Sequence, residues 1–97
     1  MPRPRRYRRV GYNPDVVFFK PAGVRKRELE EVILKVEEME AIRLKDFLQL
    51  EQKEAAEKMD ISQPTFHRLL LEGRKKISDV IVNGKSLRIE GGNYRLD

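Results

Sequence analysis

The tightest constraint on this chain lies in residues 52–71, QKEAAEKMDISQPTFHRLLL. Ala55 and Ala56 are short side chains on one candidate helix, and helices approach most closely where the contacting side chains are small. Asp60-Ile61 is a tight connection, with Ile61 placed to plug the space between the helices it joins. Ser62 suits the start of the next helix, because its hydroxyl can accept a bond from an otherwise unpaired amide of the first turn. Pro64 falls inside that turn, where a missing amide hydrogen costs nothing. The pattern predicts helix, turn and helix, with the second helix opening at Gln63.

The neighbouring segments extend the helical reading. Residues 37–47 place Met39, Ala41, Ile42 and Leu44 on one face, and Glu38 and Glu40 are expected to meet Arg43 and Lys45 along the outside. Residues 48–50 break the rhythm, and 51–59 form a second helix with Ala55, Ala56 and Met59 turned inward. The third helix is predicted over 63–82, its buried stripe being Phe66, Leu69, Leu70, Gly73, Ile77, Val80 and Ile81. The C-terminal half of that stripe is more apolar than three helices require. It therefore predicts packing against strands or a second copy of the chain. Asn83-Gly84 provides the stop.

Two short strands flank the helices. Residues 15–20 hold four strand formers, Val16 to Phe19, and end at Pro21-Ala22-Gly23. Residues 86–90 alternate, with Leu87 and Ile89 opposite Arg88, and stop at Gly91-Gly92. Such strands are best satisfied by pairing with each other or with those of a second subunit. Residues 27–36 are ambiguous. Glu28, Glu30 and Glu31 favour a short helix or turn, which is the expectation, whereas Val32-Ile33-Leu34 would fit an extended piece. The fold class is thus mainly α: a helix-turn-helix with a long third helix, an N-terminal basic arm and short terminal strands. Residues 1–14 are assigned to the arm, 15–92 to a single domain and 93–97 to a flexible tail.

Charge is distributed unevenly. Residues 1–36 hold 10 Lys/Arg against 4 Asp/Glu, residues 37–62 hold 4 against 8, and residues 63–97 hold 7 against 4. An acidic middle between basic ends points to an edge that meets a polyanion. Arg3, Arg5, Arg6, Arg8 and Arg9 are interrupted by Pro2 and Pro4, which favours an extended arm suited to phosphates or a minor groove. Arg25, Lys26 and Arg27 form a second cluster that either touches phosphate or faces water.

Several chemistries are excluded or disfavoured. With no cysteine and one histidine, thiol chemistry is absent, and no ligand spacing for a metal is found. Ser62 has no base beside it, and the glycines form no phosphate-cradling loop. No catalytic residue, cofactor or metal is expected, and the protein is read as a non-enzyme. Nothing approaches the roughly 20 apolar residues that span a bilayer, so no membrane partner is expected and a cytoplasmic location is the default.

Once the buried stripe is subtracted, the third helix begins with Gln63, Thr65, His67 and Arg68 on its outside. A helix fits the major groove, where Gln matches adenine and Arg matches guanine by paired hydrogen bonds. Gln63, Thr65, His67 and Arg68 are therefore expected to read bases. Ser62, Arg74, Lys75 and Lys76, with the arm arginines, are expected to hold phosphates. Sequence-specific binding of double-stranded DNA, as a transcription regulator and homodimer, is the reading. The alternative is a helical adaptor that docks on the transcription machinery, with RNA polymerase a further partner.

Distinct blocks support a resemblance. Met1-Pro2-Arg3-Pro4-Arg5, Phe19-Lys20-Pro21-Ala22-Gly23, Glu40-Ala41-Ile42-Arg43-Leu44, Glu54-Ala55-Ala56 and the run from Gly84 to Gly92 resemble the small prokaryotic family called domain of unknown function 134, or uncharacterised protein family 0251. The central part is similar to region 4 of the sigma-70 factors. The resemblance implies DNA binding and a transcriptional role. It also marks departures: Lys35 and Glu51 stand where relatives tend to carry Ser or Thr caps, and Asp60 replaces a frequent glycine. Tyr7 stands where some relatives carry cysteine, so metal or redox sensing is not carried over. Some relatives add a domain like those of nitrogenase cofactor assembly, and none is expected here.

Overall fold

The computed structural model of the protein describes residues 7–97. Its strands and α-helices run in the order β1 (Arg8–Val10), β2 (Phe18–Phe19), β3 (Glu31–Leu34), α1 (Val36–Ile42), α2 (Gln52–Lys58), α3 (Gln63–Asn83), β4 (Ser86–Ile89) and β5 (Tyr94–Leu96). A 3-10 turn at Lys26–Glu28 precedes β3, and a π-helical turn at Arg43–Phe47 continues α1. The fold is mainly helical, with α3 the long member.

The connection between α2 and α3 follows from its hydrogen bonds. Asp60 takes a left-handed φ of 58°, its amide donates to the Glu57 carbonyl at 3.0 Å, and the Ile61 amide donates to the Ala56 carbonyl at 3.1 Å. This ending satisfies two late carbonyls of α2 and turns the chain sharply. Ile61 consequently folds back onto the cluster containing Ala56, Met59 and Phe66. Ser62 Oγ then accepts the Thr65 amide at 3.3 Å and Pro64 occupies the first turn of α3. At the other end Gly84, with φ 64°, donates its amide to the Val80 carbonyl.

Two apolar clusters meet at Ile42. One gathers Ala41, Leu44, Ala55, Ala56, Met59, Phe66 and Leu70 among the three helices. The other places Val10, Leu34, Val36, Leu87 and Ile89 beneath Ile77 and Val80 of α3. Helices α1 and α3 cross closely at Gly73, where a Cβ would stand 2.7 Å from Ile42 Cδ1 and 3.3 Å from the Glu38 carbonyl oxygen.

β4 is the centre of a three-stranded sheet. β2 pairs with it antiparallel, Phe18 opposite Arg88, and β3 pairs with it parallel, from Glu31–Ser86 to Leu34–Ile89. A second sheet joins β1 and β5 in parallel, from Arg8–Tyr94 to Val10–Leu96. The two strands expected from the sequence, near 15–20 and 86–90, pair with each other as β2 and β4, whereas the pairing of β1 with β5 joins segments expected to be arm and tail.

Several elements differ from expectation. The strand expected over 15–20 shrinks to Phe18–Phe19, the pair opposite Arg88 and Leu87; Val17 adds its carbonyl, which accepts the Ile89 amide at 2.8 Å, and Val16 is 59% exposed. Within 27–36, the edge of β4 draws residues 31–34 into a strand, and only Lys26–Glu28 makes a helical turn. The segment expected to be a loose tail forms β5, because β1 offers it an edge and the buried Glu37 carboxylate takes the Asn93 amide. Equally, Arg8–Val10 is sheet and not free arm. Ile81, assigned to the buried stripe, is 74% exposed, since the second cluster takes Ile77 and Val80 from this end of α3 and leaves Ile81 out.

The largest difference concerns α1. Glu38 and Glu40 do not line an outer face: they are 3% and 2% exposed, and Glu37 is 2% exposed. Packing covers α1 on one side with α3 and on another with β1, so its carboxylates must find partners inside. Glu40 is held by Arg43 at 2.6 and 2.8 Å and by the Gly11 amide at 2.9 Å. Glu38 takes Lys76, together with the Lys35 amide at 2.9 Å. That second bond serves the start of α1 in place of the missing Ser or Thr cap. Lys45 turns instead to the Leu50 carbonyl at 3.2 Å.

Candidate nucleic-acid interface

α3 is fixed to the domain along one side only at its start. Phe66 and Leu70 are buried with Gly73, whereas Gln63, His67 and Arg68 are exposed and Thr65 is half-buried. The side chains form a short chain of hydrogen bonds. Ser62 Oγ lies 3.0 Å from Thr65 Oγ1, and Arg68 Nη2 donates to the same Thr65 oxygen at 3.2 Å. Thr65 therefore links the helix cap to Arg68 and limits the directions its guanidinium can take. Arg68 is exposed and keeps further guanidinium donors beyond this bond.

The basic residues further along α3 divide. Arg74 holds Asp46 through two bonds, 3.0 and 2.6 Å long, which ties α3 to the π-helical turn. These bonds keep the Asp46 carboxyl below the usual carboxylate range, with the positive field of Arg74 and Lys45 adding to the effect. Lys75 is exposed. Lys76, expected at a phosphate, points inward to Glu38 Oε1 at 2.6 Å.

The strand β1 is docked on the same end of the helical unit. The Arg9 amide donates to the Met59 carbonyl at 2.9 Å, at the turn that leads into α3. Arg9 Nε stands 2.6 Å from Asp97, and Arg95 lies 3.7 Å from Asp60. Arg8 is half-buried opposite Tyr94. Arg3, Arg5 and Arg6 lie outside the described residues. The cluster Arg25–Lys26–Arg27 lines a shallow concavity of about 490 Å³ with Leu29, Glu31 and Ser86. There Phe18 carries Lys26 and Arg88 at 5.2 and 4.7 Å from its ring centre.

Sequence reasoning missed Asp46 and the three glutamates of α1. A signal was present, since Glu37, Glu38 and Glu40 fall on several sides of one short helix and cannot all face water if that helix is covered. Among the described residues no group of three or more His, Asp or Glu is arranged to hold a metal, and no helix is long and apolar enough to cross a membrane.

A small, mainly helical domain with a capped long helix and a terminal two-stranded sheet is the class this architecture defines. The chain belongs to the family described as "Protein of unknown function DUF134", whose profile it matches over residues 1–97. It is similar to a UPF0251 protein of Moorella thermoacetica, 57% identical over 96 residues that cover 99% of this chain and 64% of the relative. A UPF0251 protein of Caldanaerobacter subterraneus subsp. tengcongensis is 55% identical over 96 residues, covering 99% of this chain and 81% of the relative. A UPF0251 protein of Syntrophomonas wolfei is 56% identical over 94 residues, covering 97% and 72%. No solved structure matches.

Proposed function

We propose that the protein binds duplex DNA sequence-specifically as a transcription regulator, with α2 and α3 acting as a helix-turn-helix of the sigma-70 region 4 kind. The observation that carries this reading is the start of α3. Its cap is closed by Ser62, its inner side is fixed by Phe66 and Leu70, and Gln63, His67 and Arg68 are exposed on its outer side, Arg68 being steadied by Thr65. A helix so held presents base-matching side chains at the end that enters a major groove. Lys75, Arg74 and the arm arginines supply phosphate contacts in this reading.

Fluorescence anisotropy with a mixed-sequence duplex tests it directly. Binding should be clear near 50 mM salt and weaken steeply by about 200 mM, because neutralised phosphates release counterions. Negligible binding at low salt sinks the reading. Selection from random duplexes then gives the site. A two-fold symmetric site would accompany the proposed homodimer, for which the exposed Ile81 and Val82 offer apolar surface.

A second reading, docking on a protein of the transcription machinery such as RNA polymerase, is favoured by one observation. Phe47, in the π-helical turn, is 79% exposed beside the 45% exposed Leu48. Capture of polymerase that survives nuclease, and is lost in Phe47→Ser, would support it. Capture abolished by nuclease would leave DNA as the bridge.

A further inference from the structure

We propose that Leu71 reads the methyl group of a thymine, so that the target duplex carries a thymine within one or two base pairs of the guanine engaged by Arg68. The inference rests on the DNA-binding reading above and adds a specificity residue and a feature of the target.

Leu71 is a large apolar side chain, 48% exposed, and belongs to neither apolar cluster. With 3.6 residues per turn, it lies about 40° around α3 from His67 and about 60° from Arg68. It is about 140° from Phe66, the residue that fixes the buried side. Leu71 therefore continues the outward face that Gln63, His67 and Arg68 begin. Lys75 follows one turn later and is exposed. The nearest carboxylate, the exposed Glu72, borders that face, about 40° around the helix from Arg68 and roughly 100° from Leu71.

A leucine flanked by Arg68 and Lys75 calls for an occupant that is anionic at its edges and apolar at one point. A duplex meets both requirements. Phosphates line the groove on either side, and the thymine C5-methyl is the apolar group displayed on its floor. Three residues of helix advance about 4.5 Å, against about 3.4 Å per base step. This fixes the expected separation of the thymine from the guanine at one or two base pairs.

Deoxyuridine differs from thymidine only by that methyl and keeps its base pairing. The experiment uses the full chain and its site selected from random duplexes, with each thymine replaced in turn by deoxyuridine. One position near the guanine should weaken wild-type binding by about threefold to tenfold, the effect of losing one buried methyl contact. Leu71→Ala, checked by thermal melting to be folded, should bind the thymine and deoxyuridine duplexes alike. A wild type indifferent to every replacement overturns the proposal, as does a selected site without thymine near the guanine. So does a Leu71→Ala variant that keeps the full sensitivity. Duplex binding without methyl sensitivity overturns this inference alone, whereas absence of any duplex binding overturns the DNA reading with it.

Discussion

Lys76 Nζ lies 2.6 Å from Glu38 Oε1, joining the middle of α3 to the first turn of α1 through a carboxylate only 4% exposed. Removing Lys76 leaves the buried Glu38 charge without its cationic partner, offset only by the Lys35 amide. At fully buried sites that costs about 3–5 kcal/mol; since Lys76 keeps 24% exposure, about 2–3 kcal/mol is expected for Lys76→Ala. Urea denaturation measures it, and a loss below about 0.5 kcal/mol would mean that water replaces the lysine freely. Lys76→Ala should also leave the salt dependence of DNA binding unchanged, because the ammonium is already occupied.

Gly73 sets the α1–α3 distance. Alanine there gains roughly 1 kcal/mol of helix propensity, but its methyl must displace Ile42 Cδ1, which stands 2.7 Å from the Cβ position. The tip of an isoleucine can rotate away, whereas the Glu38 carbonyl oxygen at 3.3 Å is backbone. The expected outcome is a net change within about 1 kcal/mol for Gly73→Ala and a loss of about 3 kcal/mol for Gly73→Leu. A Gly73→Leu protein that melts like the wild type would show that the crossing is loose.

Gly92 has φ 108°, and a Cβ there would fall 1.8 Å from Glu37 Oε1. Gly92→Ala therefore both strains the backbone and expels the carboxylate that accepts the Asn93 amide. Because Asn93 leads directly into β5, the damage should localise there. Hydrogen exchange at Tyr94–Leu96 and Arg8–Val10 is expected to accelerate at least tenfold, equivalent to about 1.4 kcal/mol of local opening. Exchange within α2 should not change. Protection retained in β5 would mean that its pairing with β1 needs no help from Glu37.

These tests also mark where the sequence was legible. The helices could be located because their signals are local: Ser62 and Pro64 open α3, Gly84 closes it, and Ala55 and Ala56 mark a close contact. β4 announced itself by alternation. β3 did not, because Glu30 and Glu31 favour a helix on intrinsic grounds, and only the neighbouring edge of β4 makes residues 31–34 extended. β5 was hidden for the same reason, its partner lying far away in sequence at β1. The buried glutamates were misplaced because a charge pattern reports which residues attract, not whether a layer covers them. Glu40 and Arg43 do pair, as their spacing implies, yet inside the protein. On α3, the exposed positions of Gln63, His67 and Arg68 followed from subtracting the buried stripe, whereas the capture of Lys76 depended on α1 lying opposite.

The Asp46–Arg74 pair should be visible in a pH titration. Arg74 holds the Asp46 carboxyl below its ordinary value, chiefly by hydrogen bonding, so the folded form binds a proton less readily than the unfolded chain. The pair contributes stability above the unfolded carboxylate value, about 3.9, and loses it as pH falls through the depressed folded value. Both side chains are well exposed, 44% and 37%, so the contribution is below about 1 kcal/mol and shrinks with salt. In Arg74→Met the Asp46 carboxyl carbon, followed by NMR, should titrate higher. An unchanged midpoint would show that the two bonds do not persist in solution.

Thr65 and Arg68 separate specificity from general affinity in the proposed complex. Arg68→Ala removes a donor pair suited to guanine, so binding to a selected site should fall by about 1–3 kcal/mol. A duplex with that guanine replaced should bind wild type and variant alike. Thr65→Val removes the oxygen that takes Arg68 Nη2 at 3.2 Å while keeping the side-chain shape. It should give a smaller loss of the same discrimination, because the guanidinium stays but is less directed. Replacing Arg3, Arg5 and Arg6 by alanine should instead weaken all duplexes together and lower the salt slope by roughly three, one unit for each phosphate contact. Competition anisotropy on matched and mismatched duplexes at several salt concentrations distinguishes these patterns. Equal, sequence-independent losses from Arg68→Ala and from the arm variant would mean that Arg68 holds a phosphate and that α3 reads bases through other side chains.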